Sequence, residues 1–276
     1  MDRIRLSKLK GSLDTFLMKR KKKSLLFNGL EKRKEFVAFQ EVLTKAITKH
    51  VEAVVTESLV ADAKSVVEKA DDALNKKILA MLRKSWKPFS KFLSKEKTLN
   101  YLIWSGEKGG QAAADLMGVD GSFKLKNSKL VAQLEKRSTF LLDSMDETTL
   151  DSVRVALVNG ISKDLTVSEI QTSIHAKFED EISPYRAEMI TRTEFANAAT
   201  AVSRETYTKN GVEQWQWIQP AGDDDDVCTE NDGEIVDIGD SFPSGDDRPP
   251  AHPNCKCDVI PVLPKDFDTT DAWLGN

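Results

Sequence analysis

The chain has 276 residues, of which 40% are hydrophobic and 30% are charged, and its formal net charge is −4 at pH 7. This composition is typical of a folded chain and excludes a disordered one, and no apolar run approaches the ~20 residues of a membrane span. The length suffices for one large core or two modest domains. Three cysteines are an odd number, which excludes a full disulfide framework and favours a reducing compartment or a metal site.

Charge is distributed unevenly along the chain. Residues 1–34 are rich in lysine and arginine, whereas the sign reverses from Asp223 onward. Such a basic arm is typical of binding to nucleic acid or to an acidic partner. The candidate nucleic-acid contacts are five consecutive side chains: Lys19, Arg20, Lys21, Lys22 and Lys23. The alternative is a solvated amphipathic helix, because this run lacks the interleaved aromatics of a single-strand-binding platform.

Hydrophobic residues in the first third of the chain recur at helical spacing. One stripe lies between Leu6 and Leu17, a second runs from Phe36 to Val54, and a third runs from Ala63 to Trp86. His50 lies within the second stripe, so we predict that it is a packed or surface residue and not a ligand. Residues 1–105 are therefore predicted to be a region of long helices that begins with the basic arm.

Five glycines interrupt this helical pattern. They are Gly106, Gly109, Gly110, Gly118 and Gly121. Because glycine punctuates regular structure, we predict a break over residues 105–122 and a second, helical region over 106–182.

Three helices are predicted within this middle region. The spacing of apolar residues indicates one helix over Asn127–Met145 and another over Thr148–Asn159, with Gly160 as its C-terminal cap. Ser168 is predicted to cap the third helix, because a serine side chain accepts a hydrogen bond from the first free amides.

The pattern changes again after residue 183. Ser183-Pro184 opens a helix that is expected to reach about Asn210, since the fixed φ of proline suits an early helical position. Beyond Gly211, three short strands are predicted around Trp215, Val236 and Ile260.

These patterns together predict the class α+β, mostly α. We expect long N-terminal helices, a central helical core and a small C-terminal β-containing subdomain that zinc would pin. Residues 183–264 form this C-terminal core, and residues 265–276 are expected to be a frayed tail.

The helix after Pro184 carries polar residues among many alanines. The candidates for a structural core network are Arg186, Arg192, Thr193 and Glu194. Their setting suggests a buried hydrogen-bond network. The alternative from the residues alone is an ordinary amphipathic helix with solvated, paired charges.

All three cysteines cluster beside one histidine near the C-terminal end. Cys228, His252, Cys255 and Cys257 follow the pattern C-x23-H-P-N-C-K-C. Thiolate and neutral imidazole bind zinc, and four such ligands complete a closed, structural tetrahedron. The sequence therefore predicts a zinc site here. The competing interpretation is that the cysteines are small buried residues and that His252 is a loop residue.

Residues 183–262 resemble the C-terminal core of the phage Mu F-type head morphogenesis family, the minor head proteins. The matching elements are Arg186–Ile190, Arg192-Thr193-Glu194, Ala198-Ala199, Gly211-Val212, Trp215-Gln216-Trp217, Asp226–Cys228, Asp232-Gly233 and Pro249–Cys257. A weaker resemblance extends upstream over residues 146–178. Two positions depart from the family pattern. Asn231 stands where many relatives carry a second thiolate, and Lys256 replaces the arginine of the usual C-R-C.

The resemblance implies a non-catalytic minor head protein of a tailed phage or prophage that acts in head assembly. The implied location is the capsid interior of the virion, with the host cytoplasm during assembly, and no membrane. The implied partners are the portal protein, capsid and scaffold proteins, and packaged DNA. Two alternatives stay open from the sequence. One is a metal-dependent nuclease or toxin-type enzyme, and the other is a DNA-binding protein that uses the basic arm.

Overall fold

The computed structural model describes residues 33–67, 74–220, 225–264 and 266–275. These residues are mostly helical, and a three-stranded antiparallel sheet lies near the C-terminal end. The predicted class, α+β and mostly α, is confirmed. None of the described helices combines the length and the apolar character needed to cross a membrane.

The helices of the described residues are long and closely spaced in sequence. They are α1 (Lys34–Val54), α2 (Glu57–Val67), α3 (Leu74–Ser85), α4 (Lys95–Met117), α5 (Ser128–Ser162), α6 (Val167–Lys177), α7 (Ser183–Lys209) and the short α8 (Asp226–Asn231). A 3-10 turn covers Phe89–Lys91, and a π-helical turn over Phe178–Ile182 joins α6 to α7.

The chain divides into two compact units, each assembled from separate segments. The helical unit comprises residues 37–100 and 135–189. The sheet unit comprises the described residues of 1–36, 101–134 and 190–276. The limits between the units fall within α1, α4, α5 and α7, so neither unit is a continuous stretch of sequence.

The core of the helical unit is formed by the apolar stripes that the sequence indicates. Phe39, Leu43 and Ile47 of α1 are completely buried, and α2 contacts both α3 and α6. His50 is also buried, with its ring centroid 4.6 Å from that of Trp86. This agrees with the prediction of a packed histidine.

The predicted break over residues 105–122 is wrong over most of its length, because α4 runs unbroken to Met117. The glycines serve close packing instead. A Cβ atom at Gly109 would lie 2.2 Å from the carbonyl oxygen of Ala199 in α7, and one at Gly106 would lie 2.9 Å from Val202 Cγ2. Real Cβ atoms do not approach so closely, so glycine is required where the two helix backbones meet.

The two helices predicted over 127–145 and 148–159 are a single helix, α5. No glycine or proline separates them, so the backbone has no reason to stop. Gly160 is not a cap but lies inside α5, where a Cβ would approach Ile170 Cγ1 to 2.9 Å.

The next helix begins two residues earlier than predicted, because Thr166 and not Ser168 is its N-cap. Thr166 and Glu169 form a reciprocal capping box.

The sheet has the strand order β2-β1-β3, in which the central β1 (Gln214–Ile218) is antiparallel to both β2 (Ile235–Asp237) and β3 (Asp258–Val262). Trp215 pairs with Val236 on one side and with Pro261 on the other. Alternation along β1 places Trp215 and Trp217 in the core, where both are completely buried. The three cysteines belong to this same core.

The last residues of the chain are docked, so the expectation of a frayed tail is wrong. The Trp273 amide donates to Asn210 Oδ1 at 2.7 Å, and the Lys124 amide donates to the carbonyl of Leu274 at 3.1 Å. The carbonyl of Gly275 accepts from Lys126 at 2.7 Å. Because backbone hydrogen bonds and the packed side chain of Leu274 offset the ordering entropy, the segment is held.

Candidate metal centre

The first ligand candidate, Cys228, is positioned by the short helix α8. Asp225 caps this helix, accepting a hydrogen bond from the Val227 amide at 3.1 Å. The cap holds the first turn so that Cys228 faces inward, with no exposed surface.

The other candidates lie on a tight loop, residues 252–257, that leads directly into β3. The Cys255 amide donates to the carbonyl of His252 at 3.2 Å, and Asn254 between them has a φ of 68°. Asparagine tolerates this left-handed conformation better than most residues. The turn brings Cys255 and Cys257 inward, and both are buried.

The three thiols converge on one point. The sulfur atoms of Cys228, Cys255 and Cys257 all lie within 4.8 Å of one another, and those of Cys228 and Cys255 are 3.7 Å apart. In a tetrahedral zinc site with Zn–S bonds of about 2.3 Å, neighbouring sulfurs lie roughly 3.8 Å apart. The spacing fits three ligands of one ion, and all three cysteines are free of disulfides.

His252 approaches the cluster at its Cys228 corner. Its Nε2 lies 3.1 Å from Cys228 Sγ, and its Nδ1 lies 2.9 Å from the carbonyl oxygen of Pro253. A carbonyl can only accept, so in the neutral imidazole the proton lies on Nδ1 and the lone pair of Nε2 faces the thiol. A backbone carbonyl that fixes the tautomer in this way is typical of metal-ligating histidines.

Asp225 is a member of the site that the sequence prediction missed. Its Oδ2 lies 3.8 Å from His252 Nε2, and Asp225, Cys228 and His252 form a second set whose ligand atoms lie within 4.8 Å of one another. The two sets share Cys228. The signal in the sequence is the run of four aspartates, Asp223 to Asp226, that precedes Cys228.

The protonation of the thiols is unequal. Hydrogen bonding from Cys257 is the largest effect on Cys255 and lowers its pKa from 9.0 to about 6, against the opposing effect of burial. The same contact raises the pKa of Cys257, and burial raises it further. The contact therefore favours the thiolate at Cys255 and the thiol at Cys257. A bound cation would favour the thiolate at both, because the thiolate is the form that binds metal.

The predicted polar network of α7 divides between two sets of partners. Arg186 donates to the hydroxyls of Thr148 and Thr149, the latter at 3.2 Å, and burial lowers its pKa. Arg192 and Thr193 instead bond to Asn254 of the cysteine loop.

Glu194 is buried with 5% of its surface exposed. Residues 19–23, the predicted nucleic-acid contacts, lie outside the described part of the chain.

The donor set fits a metal ion. Three buried thiols from two elements, with an imidazole at the edge, are soft ligands in a closed setting. The cluster could therefore hold a metal in a structural role, tying α8 to the loop before β3.

Comparison with known proteins identifies the region that contains this site. Residues 151–260, which are 110 of the 276, match the model of a family described as phage Mu protein F like protein. No protein of curated function matches the chain, and no solved structure matches it either. The matched region contains α7, β1, β2, the first three residues of β3 and all four predicted ligands. Residues 151–260 of this chain are therefore similar to the phage Mu protein F-like family, in agreement with the resemblance found in the sequence.

Proposed function

We propose that this protein is a phage minor head protein that acts in capsid assembly without catalysing a reaction. One observation carries the proposal: the family match covers most of the segment in which the end of α7, the sheet and the cysteine cluster share one packed core. Such a core offers a rigid surface for docking. The buried thiols could bind a metal that stabilises this core, because they face inward.

We propose that the metal of this core is zinc and that it is held by Cys228, His252, Cys255 and Cys257. Three thiolates and one imidazole complete a tetrahedron that leaves no open position for substrate. Asn231, which stands where relatives carry a thiol, supports His252 as the fourth ligand. Its side chain is committed elsewhere, donating to Ser244 Oγ at 2.8 Å and accepting from the Ser244 amide at 3.1 Å.

Metal analysis of protein purified without an affinity-tag metal tests this assignment. We expect about one zinc per chain in the wild type and much less in Cys255→Ser. A matched control is Ser244→Ala, which lies outside the ligand set. Wild-type protein that is folded and reduced but holds under about a tenth of an equivalent would contradict the zinc centre.

The proposed partners are the portal protein and the capsid or scaffold proteins, and the proposed location is the capsid interior of the virion. The host cytoplasm is the proposed location during assembly. The proposed partners and locations rest on the similarity to the family alone. The test is to delete the gene from the phage or prophage that encodes this chain and to complement it with tagged protein.

The expected outcome is that the deletion yields few filled heads and that tagged protein purifies with particles and cross-links to portal. Complementation by Cys255→Ser should be weaker than by wild type. Normal numbers of infectious particles without the gene would contradict a role in assembly.

A second candidate function is nucleic-acid binding by the basic arm, and the observation that favours it is the concentration of lysine and arginine in residues 1–34. Binding should be independent of sequence and should weaken steeply with salt, with a slope of about −0.9 per phosphate contact. Titration of DNA into the full chain, into a truncation that starts at Glu35 and into a variant with glutamine at residues 19–23 tests it. Equal binding by all three would contradict the arm's role.

The enzyme alternatives receive less support from the geometry. Cys228 and His252 resemble a nucleophile and its base, but the thiol has no exposed surface. The carboxylate of Asp225 and the thiol of Cys228 both approach Nε2 of His252. In a catalytic triad the nucleophile and the carboxylate instead contact different nitrogens of the imidazole. The arrangement suits ligation better than attack on a substrate.

A further inference from the structure

Asn254 of the cysteine loop, residues 252–257, is hydrogen-bonded to two side chains of α7. We propose that Arg192 and Thr193 are positioning residues for the metal centre, which fix this loop so that its ligands meet Cys228. The proposal rests on the metal centre put forward above. In this proposal Arg192 and Thr193 of α7 orient the metal ligands in addition to stabilising the core.

Two adjacent side chains of α7 hold both the backbone and the side chain of Asn254. Thr193 Oγ1 accepts a hydrogen bond from the Asn254 amide at 3.0 Å, and Arg192 Nη1 donates to Asn254 Oδ1. Arg192 has only 7% of its surface exposed. Hydrogen bonds from a charged donor in such a setting are stronger than those between neutral groups.

Hydrogen bonds to Asn254 should have a large effect on the positions of the ligands. It lies between the ligands His252 and Cys255, and its left-handed φ of 68° reverses the chain there. A shift of this residue moves a ligand on either side. The hydrogen bonds of the Cys255 amide and of His252 Nδ1 stay within the loop, whereas the bonds from α7 fix the loop relative to another element.

A preformed loop binds metal more tightly than a loop that must first be ordered, since the ordering entropy is already offset in the folded protein. Groups that orient ligands without touching the ion typically contribute about 10–100-fold to metal affinity. We expect that scale of loss when either bond to Asn254 is removed.

Competition with a chelator, using the full-length protein, measures the zinc affinity. Thr193→Val removes the acceptor at constant shape, and Thr193→Ser retains it. Arg192→Lys keeps the charge but loses the planar fork. The matched control is Arg186→Lys. Arg186 lies on the same helix and also donates to side-chain oxygens, but its partners are Thr148 and Thr149 and not the cysteine loop.

The expected result is an affinity about 10–100-fold lower for Thr193→Val and Arg192→Lys, with Thr193→Ser and Arg186→Lys near wild type. Cobalt substitution supplies a second readout. Its visible bands should be broadened or weakened in Thr193→Val, since they report a tetrahedral thiolate field that general destabilisation of the protein would not alter.

Wild-type affinity and cobalt spectra in Thr193→Val and Arg192→Lys would overturn the proposal, and so would an equal loss in Arg186→Lys. If Thr193→Val does not fold, Asn254→Gly replaces it, because glycine accepts the left-handed backbone and lacks Oδ1. Unchanged zinc affinity in that variant would likewise overturn the role of the Arg192 bond. Failure of the wild type to bind zinc or cobalt would instead remove the metal centre itself.

Discussion

His50 is a titratable side chain inside an aromatic core. Its ring lies 5.4 Å from that of Phe89 and 5.0 Å from that of Phe92, centroid to centroid. Burial is the largest effect and lowers the pKa of His50 below 6.5, helped slightly by the positive charge of Arg186. Asp146, whose Oδ1 lies 3.9 Å from Nε2, opposes that shift only in part.

The depressed pKa makes the stability of the protein depend on pH. The unfolded chain binds a proton at His50 at higher pH than the folded chain does, so stability is complete above 6.5 and declines as the pH falls below it. Urea unfolding between about pH 8 and about pH 5 measures this.

We expect His50→Phe to flatten the decline, whereas the control His175→Gln retains it. Identical pH profiles for His50→Phe and the wild type would show that His50 does not drive the decline.

At the scale of elements, the packing of α4 against α7 depends on glycine. Ser203 Oγ donates to the carbonyl of Gly109 at 3.0 Å, and Ser105 Oγ donates to that of Phe195 at 2.9 Å. These cross-helix bonds require backbones in near contact. Small residues on both helices permit it, and the contact is lined by Ala198 and Ala199.

Gly109→Ala should therefore destabilise the protein, although alanine in an exposed helix is favoured over glycine by about 1 kcal/mol. The added methyl meets rigid backbone, so we expect a loss of about 3 kcal/mol or more in the free energy of unfolding. Gly106→Ala is the graded control, because it meets the movable side chain of Val202. A gain in stability at position 109 would show that the helices are further apart.

At the scale of the whole molecule, the proposed metal ties together segments that are distant in sequence. Cys228 lies 27 residues before Cys255, and β1 lies between β2 and β3 in the sheet. The site therefore closes a loop, and closing a loop restricts the unfolded chain more than the folded one.

Metal removal should loosen this part of the molecule selectively. We expect faster amide hydrogen exchange in β1, α8 and β3 after treatment with a chelator, and unchanged exchange in α1 of the helical unit. Readdition of zinc should restore protection. Exchange in β3 that is the same with and without the chelator, once loss of metal has been verified, would contradict a stabilising ion.

Much of the candidate site could be predicted because it consists of residue types that are rare in this chain. Three cysteines and a neighbouring histidine indicate a candidate ligand set by residue type alone, and the alternation at Trp215 and Trp217 indicates a strand with one buried face. Asp225 was missed because an acidic residue in an acidic run carries no distinguishing pattern. The bonds from Arg192 and Thr193 to Asn254 were missed because the partners are 62 and 61 residues apart, respectively.

The sequence by itself determined the mostly helical class, the position of the small sheet and the clustering of the thiols, since these depend on periodicity and residue type over short distances. Only the tertiary structure decided what the glycines do. In isolation Gly106 and Gly109 weaken a helix, whereas beside Ala199 and Val202 they are what allows two helices to meet. The docked tail has the same explanation: whether a segment is ordered depends on the partners that receive its backbone hydrogen bonds, and those partners are distant in the chain.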